Sequence, residues 1–495
     1  MGVIKKQSIP GVIYSYIGVA LGFIISGLLF PRLLTTNEVG LLRILISYSV
    51  ILSQFAILGM NTVTVKIFPH FRDKKNKHHG YLGLLLLVGL AGFIITTIIY
   101  LLAGNYIIND AKEKSELFIP YLYYVIPLLF FSLLFNTLDV YYRVLYNVTK
   151  GIIYKEIIQR ILVILSVIIF YFKFIDFHTL VILYTISQIL PAILIFFSLI
   201  IEKQFYIKLD FNFLNKPLMK HMASVAFFGI ITSYSGVLIM NIDMVMINHY
   251  LGLSSTGIYS ITFFFGTLIR IPSRTISKIS SVVIADSWKI NNKNTILSIY
   301  KKSSILLSIA AIFVFIGIWS NISNVFSIIG SSYIPGMYVI FFIGLANVLD
   351  AFSGLSSLII INSKHYKWLS VFLIIYTISI ILTNLIFIPL FGISGAAFAS
   401  FISSLLYTYL RFIFLKKKYQ FQPYSYKHIL IIIIGIAALY ISSLLPKMNN
   451  YVIDIIFRSI LISIVYLPLI YIANISDDFN NSAKSIVLKI SSFDW

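Results

Sequence analysis

The chain has 495 residues, 59% of them hydrophobic and only 11% charged, with 41 Phe, 33 Tyr and no cysteine. A soluble domain carries about 25% charged residues, so this composition excludes a soluble globular or disordered chain. It also excludes a nucleic-acid-binding domain, despite a net charge of +21. Without cysteine there can be no disulfide, iron–sulfur cluster, thiolate zinc site or cysteine nucleophile.

A helix that crosses a bilayer needs roughly 20 apolar residues. In chain order the apolar runs predict spans at 9–31, 41–66, 80–103, 119–146, 156–174, 178–201, 222–248, 255–284, 303–320, 334–361, 368–388, 391–415, 428–446 and 452–474. That is about fourteen spans at the length a hydrocarbon core requires. The first run continues past signal-peptide length into Phe30-Pro31-Arg32 without a small-residue cleavage site, so it reads as an uncleaved span. Period-2 alternation is not the dominant pattern, which argues against a β-barrel. The expected fold class is an all-α polytopic membrane protein.

Lys and Arg set the orientation. One set of loops and tails carries Lys5, Lys6, Arg72, Lys74, Lys75, Lys77 and, later, Lys301, Lys302 and Lys416 to Lys418. The other set carries only Arg32, Lys112, Lys114, Lys173 and Lys447. This asymmetry places both termini in the cytoplasm. It also turns the basic charge into an attraction for anionic membrane lipids rather than a nucleic-acid footprint. The longest outer loop, Gly104 to Phe118, and the longest inner connection, Glu202 to Lys220, are both short. Function is therefore expected within the bilayer.

An internal repeat links two turns on the outer side. Span one leads into span two through Leu34-Thr35-Thr36-Asn37-Glu38-Val39-Gly40, and span seven into span eight through Leu251-Gly252-Leu253-Ser254-Ser255-Thr256-Gly257. Six spans separate the copies, so the halves are parallel repeats. The expected organisation is an N-terminal lobe at 1–201 and a cytoplasmic linker at 202–221. A C-terminal lobe at 222–415 follows, then two further spans with a cytoplasmic tail at 416–495.

Charges inside spans are costly and must snorkel, pair or meet water. Lys66, Arg160 and Arg411 lie at inner span ends, where snorkelling accounts for them. Asp454 and Arg458, and Asp139 and Arg143, have the i,i+4 spacing of local ion pairs. Span eight is different, because Arg270, Arg274 and Lys278 recur every four residues and form one stripe. Counted from an outer start near Thr256, Arg270 lies roughly 21 Å deep. Pro272 is placed to kink the helix beside it. A cationic stripe suits an anionic substrate, since guanidinium binds phosphate oxygens bidentately. Arg270, Arg274 and Lys278 are therefore candidate substrate ligands, with pairing to Asp350 or Asp243 as the alternative. Arg143 joins them as a candidate if its local pair is open. Arg43, just inside the outer end of span two, either snorkels or meets a phosphate.

Asp243 and Asp350 are isolated intramembrane acids, each with an Asn nearby, Asn241 and Asn347. With Asp139 they are candidates for ion coupling, through H+ or Na+, or for structural pairing. Gly18, Gly22 and the Gly392-Ile393-Ser394-Gly395-Ala396-Ala397 run mark close helix packing. The sequence has no P-loop and no HExxH, so no catalytic residue, metal site or organic cofactor is expected.

The N-terminal stretch Gly18-Val-Ala-Leu-Gly-Phe, Phe30-Pro31-Arg32-Leu33-Leu34 and Asn37-Glu38-Val39-Gly40-Leu41 resembles the polysaccharide flippases of the multidrug/oligosaccharidyl-lipid/polysaccharide (MOP) exporter superfamily. So do Asp243…Tyr250-Leu251-Gly252…Gly257-Ile258-Tyr259-Ser260 and Phe391-Gly392-Ile393-Ser394-Gly395-Ala396-Ala397. The resemblance implies a MATE-like fold of two six-helix lobes plus two C-terminal helices, with a cationic central cavity. It implies a Wzx-type flippase in a bacterial inner membrane. Such a protein moves undecaprenyl-diphosphate-linked oligosaccharide to the outer leaflet for lipopolysaccharide, O-antigen or another surface polysaccharide. Polymerase and glycosyltransferases are the expected partners. The alternatives are a MATE-like cation-coupled drug antiporter, which would favour an acidic cavity, and a membrane polymerase or glycosyltransferase, which would favour acid/base residues on a large outer loop.

Overall fold

The computed structural model describes residues 2–210 and 213–491. The side chains of residues 2–9, 12, 274, 275, 278, 279, 282, 482 and 486–491 lie outside that description. The described chain is all helix and turn, with no strand. Among the described residues, eleven helices are long and apolar enough to cross a membrane. This follows from composition: with no water to satisfy a free backbone, apolar segments close their own hydrogen bonds.

Short polar signals start the helices. Thr35 accepts from Glu38 N at 3.3 Å and Thr35 N donates to Glu38 Oε2 at 2.7 Å, a reciprocal cap on Thr36–Ala56. Asp176, Asn292 and Asn450 cap Phe177–Ile201, Lys293–Ser320 and Tyr451–Ile472 through their side-chain oxygens.

Two helices, Lys216–Thr267 and Lys367–Tyr419, each hold a single break, at Gly252 (φ 82°) and Gly392 (φ 60°). Both glycines sit in the left-handed region that a side chain disfavours. These are the turns where the sequence separates spans seven from eight and eleven from twelve.

Several elements depart from the sequence reading. The expected 41–66 span is two helices, Thr36–Ala56 and Met60–Phe71, parted at Ile57–Gly59. The loop after Leu102, expected on the outer side, contains a helix, Gly104–Lys114. It is polar enough that a search for apolar runs passes over it. Helices at both ends of the chain contain π-helical turns or polar extensions: Ile24–Leu29 interrupts the first, and Asp477–Ser491 follows the last spanning helix.

The chain divides into two compact units, Met1–Ser260 and Ile261–Trp495. The first has its core around Phe68, Tyr81, Leu129 and Tyr141. The helix from Lys216 packs in this unit, where Met222 joins the core and Ser47 donates to Met244 Sδ at 3.3 Å. The repeat in the sequence counts the same helix as the opening of the second lobe. Packing and repeat thus draw different boundaries. The second unit has its core around Tyr300, Ile312, Ile359, Leu415 and Tyr466.

Candidate functional site

In the first unit, Arg43 projects from Thr36–Ala56 towards the π-helical turn Ile24–Leu29. Its Nη2 donates to Ser26 Oγ at 2.7 Å, and the guanidinium carbon lies 5.3 Å from the centre of the Phe30 ring. Its Nε is buried without a hydrogen-bond partner. Arg43 makes no ion pair among the described residues, so this span holds a cation balanced by one hydroxyl and an aromatic face. π-Helical turns inside α-helices recur at functional sites, because the extra residue re-aims side chains.

Asp139 and Arg143 form the expected i,i+4 pair, at 3.1 Å. Lys155 is also close enough to act on Asp139 electrostatically. Gly18 and Gly22 pack on Glu156 and Arg160, which pair at 2.6 Å, while Arg160 Nη1 donates to the Gly18 carbonyl. A methyl group at Gly18 would lie 2.7 Å from Glu156 Oε2, so the expected close packing is real. Arg160 is held by this contact instead of snorkelling alone. Asp243 is buried, and its Oδ2 accepts from Tyr259 OH at 2.6 Å. Asn241 donates to the Val237 carbonyl of its own helix at 3.0 Å.

In the second unit, Arg270 closes a 3₁₀ turn, Leu268–Arg270, immediately ahead of Pro272. The expected kink is therefore a tightened turn. Asn347 Nδ2 donates to the Gly266 carbonyl at 3.0 Å and to the Ile343 carbonyl at 2.9 Å. One turn further along, Asp350 Oδ1 accepts from Arg411 Nη2 at 2.8 Å. Arg411 is 2% exposed. It also donates to Ser357 Oγ at 2.6 Å and Thr408 Oγ1 at 3.1 Å, and lies over the Tyr407 ring at 4.2 Å. Snorkelling therefore does not account for Arg411, because its head is taken up by an acid on a neighbouring helix. Arg270 makes no hydrogen bond or ion pair among the described residues, but it acts on Asp350 through its charge. Arg274 and Lys278 lie on Ile271–Lys289, and their side chains are outside the described residues.

Near the start of Tyr451–Ile472, Arg458 and Asp454 pair at 2.8 Å as the spacing predicts. Arg458 also donates to the carbonyls of Ser442 and Leu445 at 2.8 and 2.9 Å, and Asn324 donates to Asp454 at 2.6 Å. This closed network covers the end of Tyr426–Ser443. No group of His, Cys, Asp and Glu among the described residues could hold a metal ion.

A membrane fold with isolated cations and engaged acids defines a class before it defines a member. By shape, the chain shares the fold of the solved structures it is similar to. It is similar to the inward closed conformation of lipid II flippase MurJ, with a TM-score of 0.76, 17% identity, and 94% of this chain and 98% of that chain covered. It is similar to the inward-facing conformation of a multidrug resistance MATE family transporter, with a TM-score of 0.63, 16% identity and 84% and 99% covered. A MOP superfamily transporter from Pyrococcus furiosus is also similar, with a TM-score of 0.56, 15% identity and 84% and 95% covered. No curated protein matches the sequence. Residues 11–285 match the polysaccharide biosynthesis protein family, and the chain belongs to that family.

Proposed function

We propose that this protein is a flippase for a polyprenyl-diphosphate-linked oligosaccharide in the bacterial inner membrane, with both termini cytoplasmic. The observation that carries the reading is the state of Arg43 and Arg270. Both lie within spans, and neither has a carboxylate at ion-pair distance among the described residues. A cation at bilayer depth costs about 2.5–3.5 kcal/mol on insertion scales. A diphosphate supplies the missing anion, and guanidinium is the side chain suited to its paired oxygens. Membership of a polysaccharide biosynthesis family supplies the sugar.

The physical task is to carry a charged, sugar-bearing headgroup through hydrocarbon while its polyprenyl tail stays in lipid. In this proposal Arg270 binds the diphosphate within the second unit, with Arg274 and Lys278 as further cationic contacts, and Arg43 is a separate phosphate contact within the first unit. The protein then changes the side from which those residues are reached. Asp350, Asp243 or Asp139, with Asn241, would couple the cycle to H+ or Na+. One elementary charge moving through 100 mV is worth about 2.3 kcal/mol. Fourteen crossings follow if Lys216–Thr267 and Lys367–Tyr419 each reverse at their glycine and the helical stretch 149–171 also spans. A cation antiporter is the less favoured reading, because it would favour an acidic cavity, whereas Arg270 has no carboxylate at ion-pair distance among the described residues.

Reconstitution tests this directly. Proteoliposomes loaded with a fluorescent lipid-linked oligosaccharide should expose it to an impermeant glycosidase faster than empty liposomes do. Equal rates with correctly inserted protein would reject the proposal.

A further inference from the structure

A cavity of about 500 Å³ opens in the second unit, where the end of Ile271–Lys289 and the start of Lys293–Ser320 meet the Asn362–His365 turn and the end of Lys367–Tyr419. Lys289, Lys293, Lys364 and Lys418 line it, and no Asp or Glu does. None of these four lysines makes an ion pair among the described residues. They come from three chain segments, with Lys289 and Lys293 flanking one turn, so no single helix face explains their convergence.

The wall behind them is aromatic. Trp288 Nε1 donates to the Ile359 carbonyl at 3.0 Å, and its ring lies 4.9 Å from the Tyr419 ring. The His365 ring sits 6.0 Å from the Tyr419 ring. Trp288, Tyr419 and His365 all line the cavity, and the Tyr419 hydroxyl is buried without a hydrogen-bond partner. The cavity thus combines four lysines, an aromatic floor and a hydroxyl without a partner. Like charges gathered in one concave site repel one another. An anion that enters relieves that repulsion and accepts their N–H donors.

We propose that this cavity binds a phosphate-bearing anion, such as the phosphate of an anionic membrane lipid headgroup. The volume fits a headgroup rather than a bare ion, and the Trp–Tyr floor suits a ligand that enters from the membrane–water interface. On the orientation proposed above this is the cytoplasmic surface, although binding does not depend on that orientation. The site is distinct from Arg43 and Arg270, and it needs no transport.

The test uses the full-length protein in neutral detergent. Binding of short-chain phosphatidylglycerol is measured by native mass spectrometry and by thermal shift, against short-chain phosphatidylcholine and against inorganic phosphate at matched ionic strength. Three forms are compared: wild type, Lys289→Gln/Lys364→Gln, and a Lys416→Gln/Lys417→Gln control whose exposed lysines do not line the cavity. The cavity variant should bind phosphatidylglycerol at least roughly tenfold more weakly, the scale of one lost charge-assisted contact. The control should bind as wild type. Phosphate competition with the lipid would give a site that reads the phosphate alone, and lipid binding without competition would give one that needs the whole headgroup. Equal binding of phosphatidylcholine, or equal losses in the two variants, would overturn the proposal.

Discussion

Thr36 and Ser254 meet hydroxyl to hydroxyl at 2.8 Å, and the turns that carry them pack reciprocally. Gly40 lies against the Leu253 carbonyl, and Gly257 lies against the Thr36 carbonyl. When Leu34 is aligned with Leu251, Gly40 falls on Gly257 and Thr36 on Leu253. Each glycine therefore touches the counterpart of the residue that its own partner touches. The repeated Leu–Gly spacing marks a two-fold contact, in which the glycines have no Cβ because main chain fills that place.

The chain has no cysteine, so the contact can be read chemically without background. Thr36→Cys/Ser254→Cys should form an intramolecular disulfide on mild oxidation, detected by a mobility shift or mass loss. Either single variant should not. In the same turn Gly40→Val should lower the melting temperature in detergent, by overpacking worth about 1–3 kcal/mol. Absence of both the cross-link and the destabilisation would show that the turns do not meet.

The Asp350–Arg411 pair predicts a coupled loss. Arg411 is 2% exposed and keeps one unpaired nitrogen, Nε, even in the intact pair. Asp350→Ala removes its only carboxylate partner among the described residues and should cost about 1–3 kcal/mol. The Arg411→Ala/Asp350→Ala double variant should cost less than the sum of the single ones. Additive melting-temperature losses across the cycle would remove the interaction.

Acid should act on the turn after Phe71. Hydrogen bonds from the main chain and side chain of Asn76 hold the Asp73 carboxyl below its ordinary value, with a further one from Lys75 N. A folded value below the unfolded one means that this stabilisation is present above the unfolded value. It is lost as the pH falls through the folded value. Carboxyl NMR should therefore show Asp73 titrating below an ordinary aspartate, and Asn76→Ala should move its midpoint upward. An unchanged midpoint would show that Asn76 does not hold the carboxylate.

Charge reversal separates binding from insertion. Arg270→Glu and Arg43→Glu should each abolish transport while protein level and membrane insertion stay intact, and Arg270→Lys should retain part of the activity. Full transport by a well-inserted Arg270→Glu protein would remove that residue from the substrate path.

The sequence carries the helices because apolar length is a one-dimensional signal. It also carries the i,i+4 pairs Asp139–Arg143 and Asp454–Arg458, which need only helical periodicity. It could not pair Arg411 with Asp350 or Tyr259 with Asp243, because those partners meet through packing between helices rather than through spacing. The helix Gly104–Lys114 escaped for the opposite reason: its polar residues hide a regular element from a search for apolar runs. Arg270 was legible as an outlying charge, while the Asn347 contact that braces the turn before it was not.

The most direct measurement is the position of the lipid-linked glycan in cells depleted of this protein, with downstream ligation blocked. Polyprenyl-linked glycans would be identified by mass spectrometry, and their leaflet assigned by access to an impermeant lectin or glycosidase. Complete repeat units should accumulate on the cytoplasmic side and become accessible outside when the protein is restored. Repeat units that reach the outer face in its absence would contradict it.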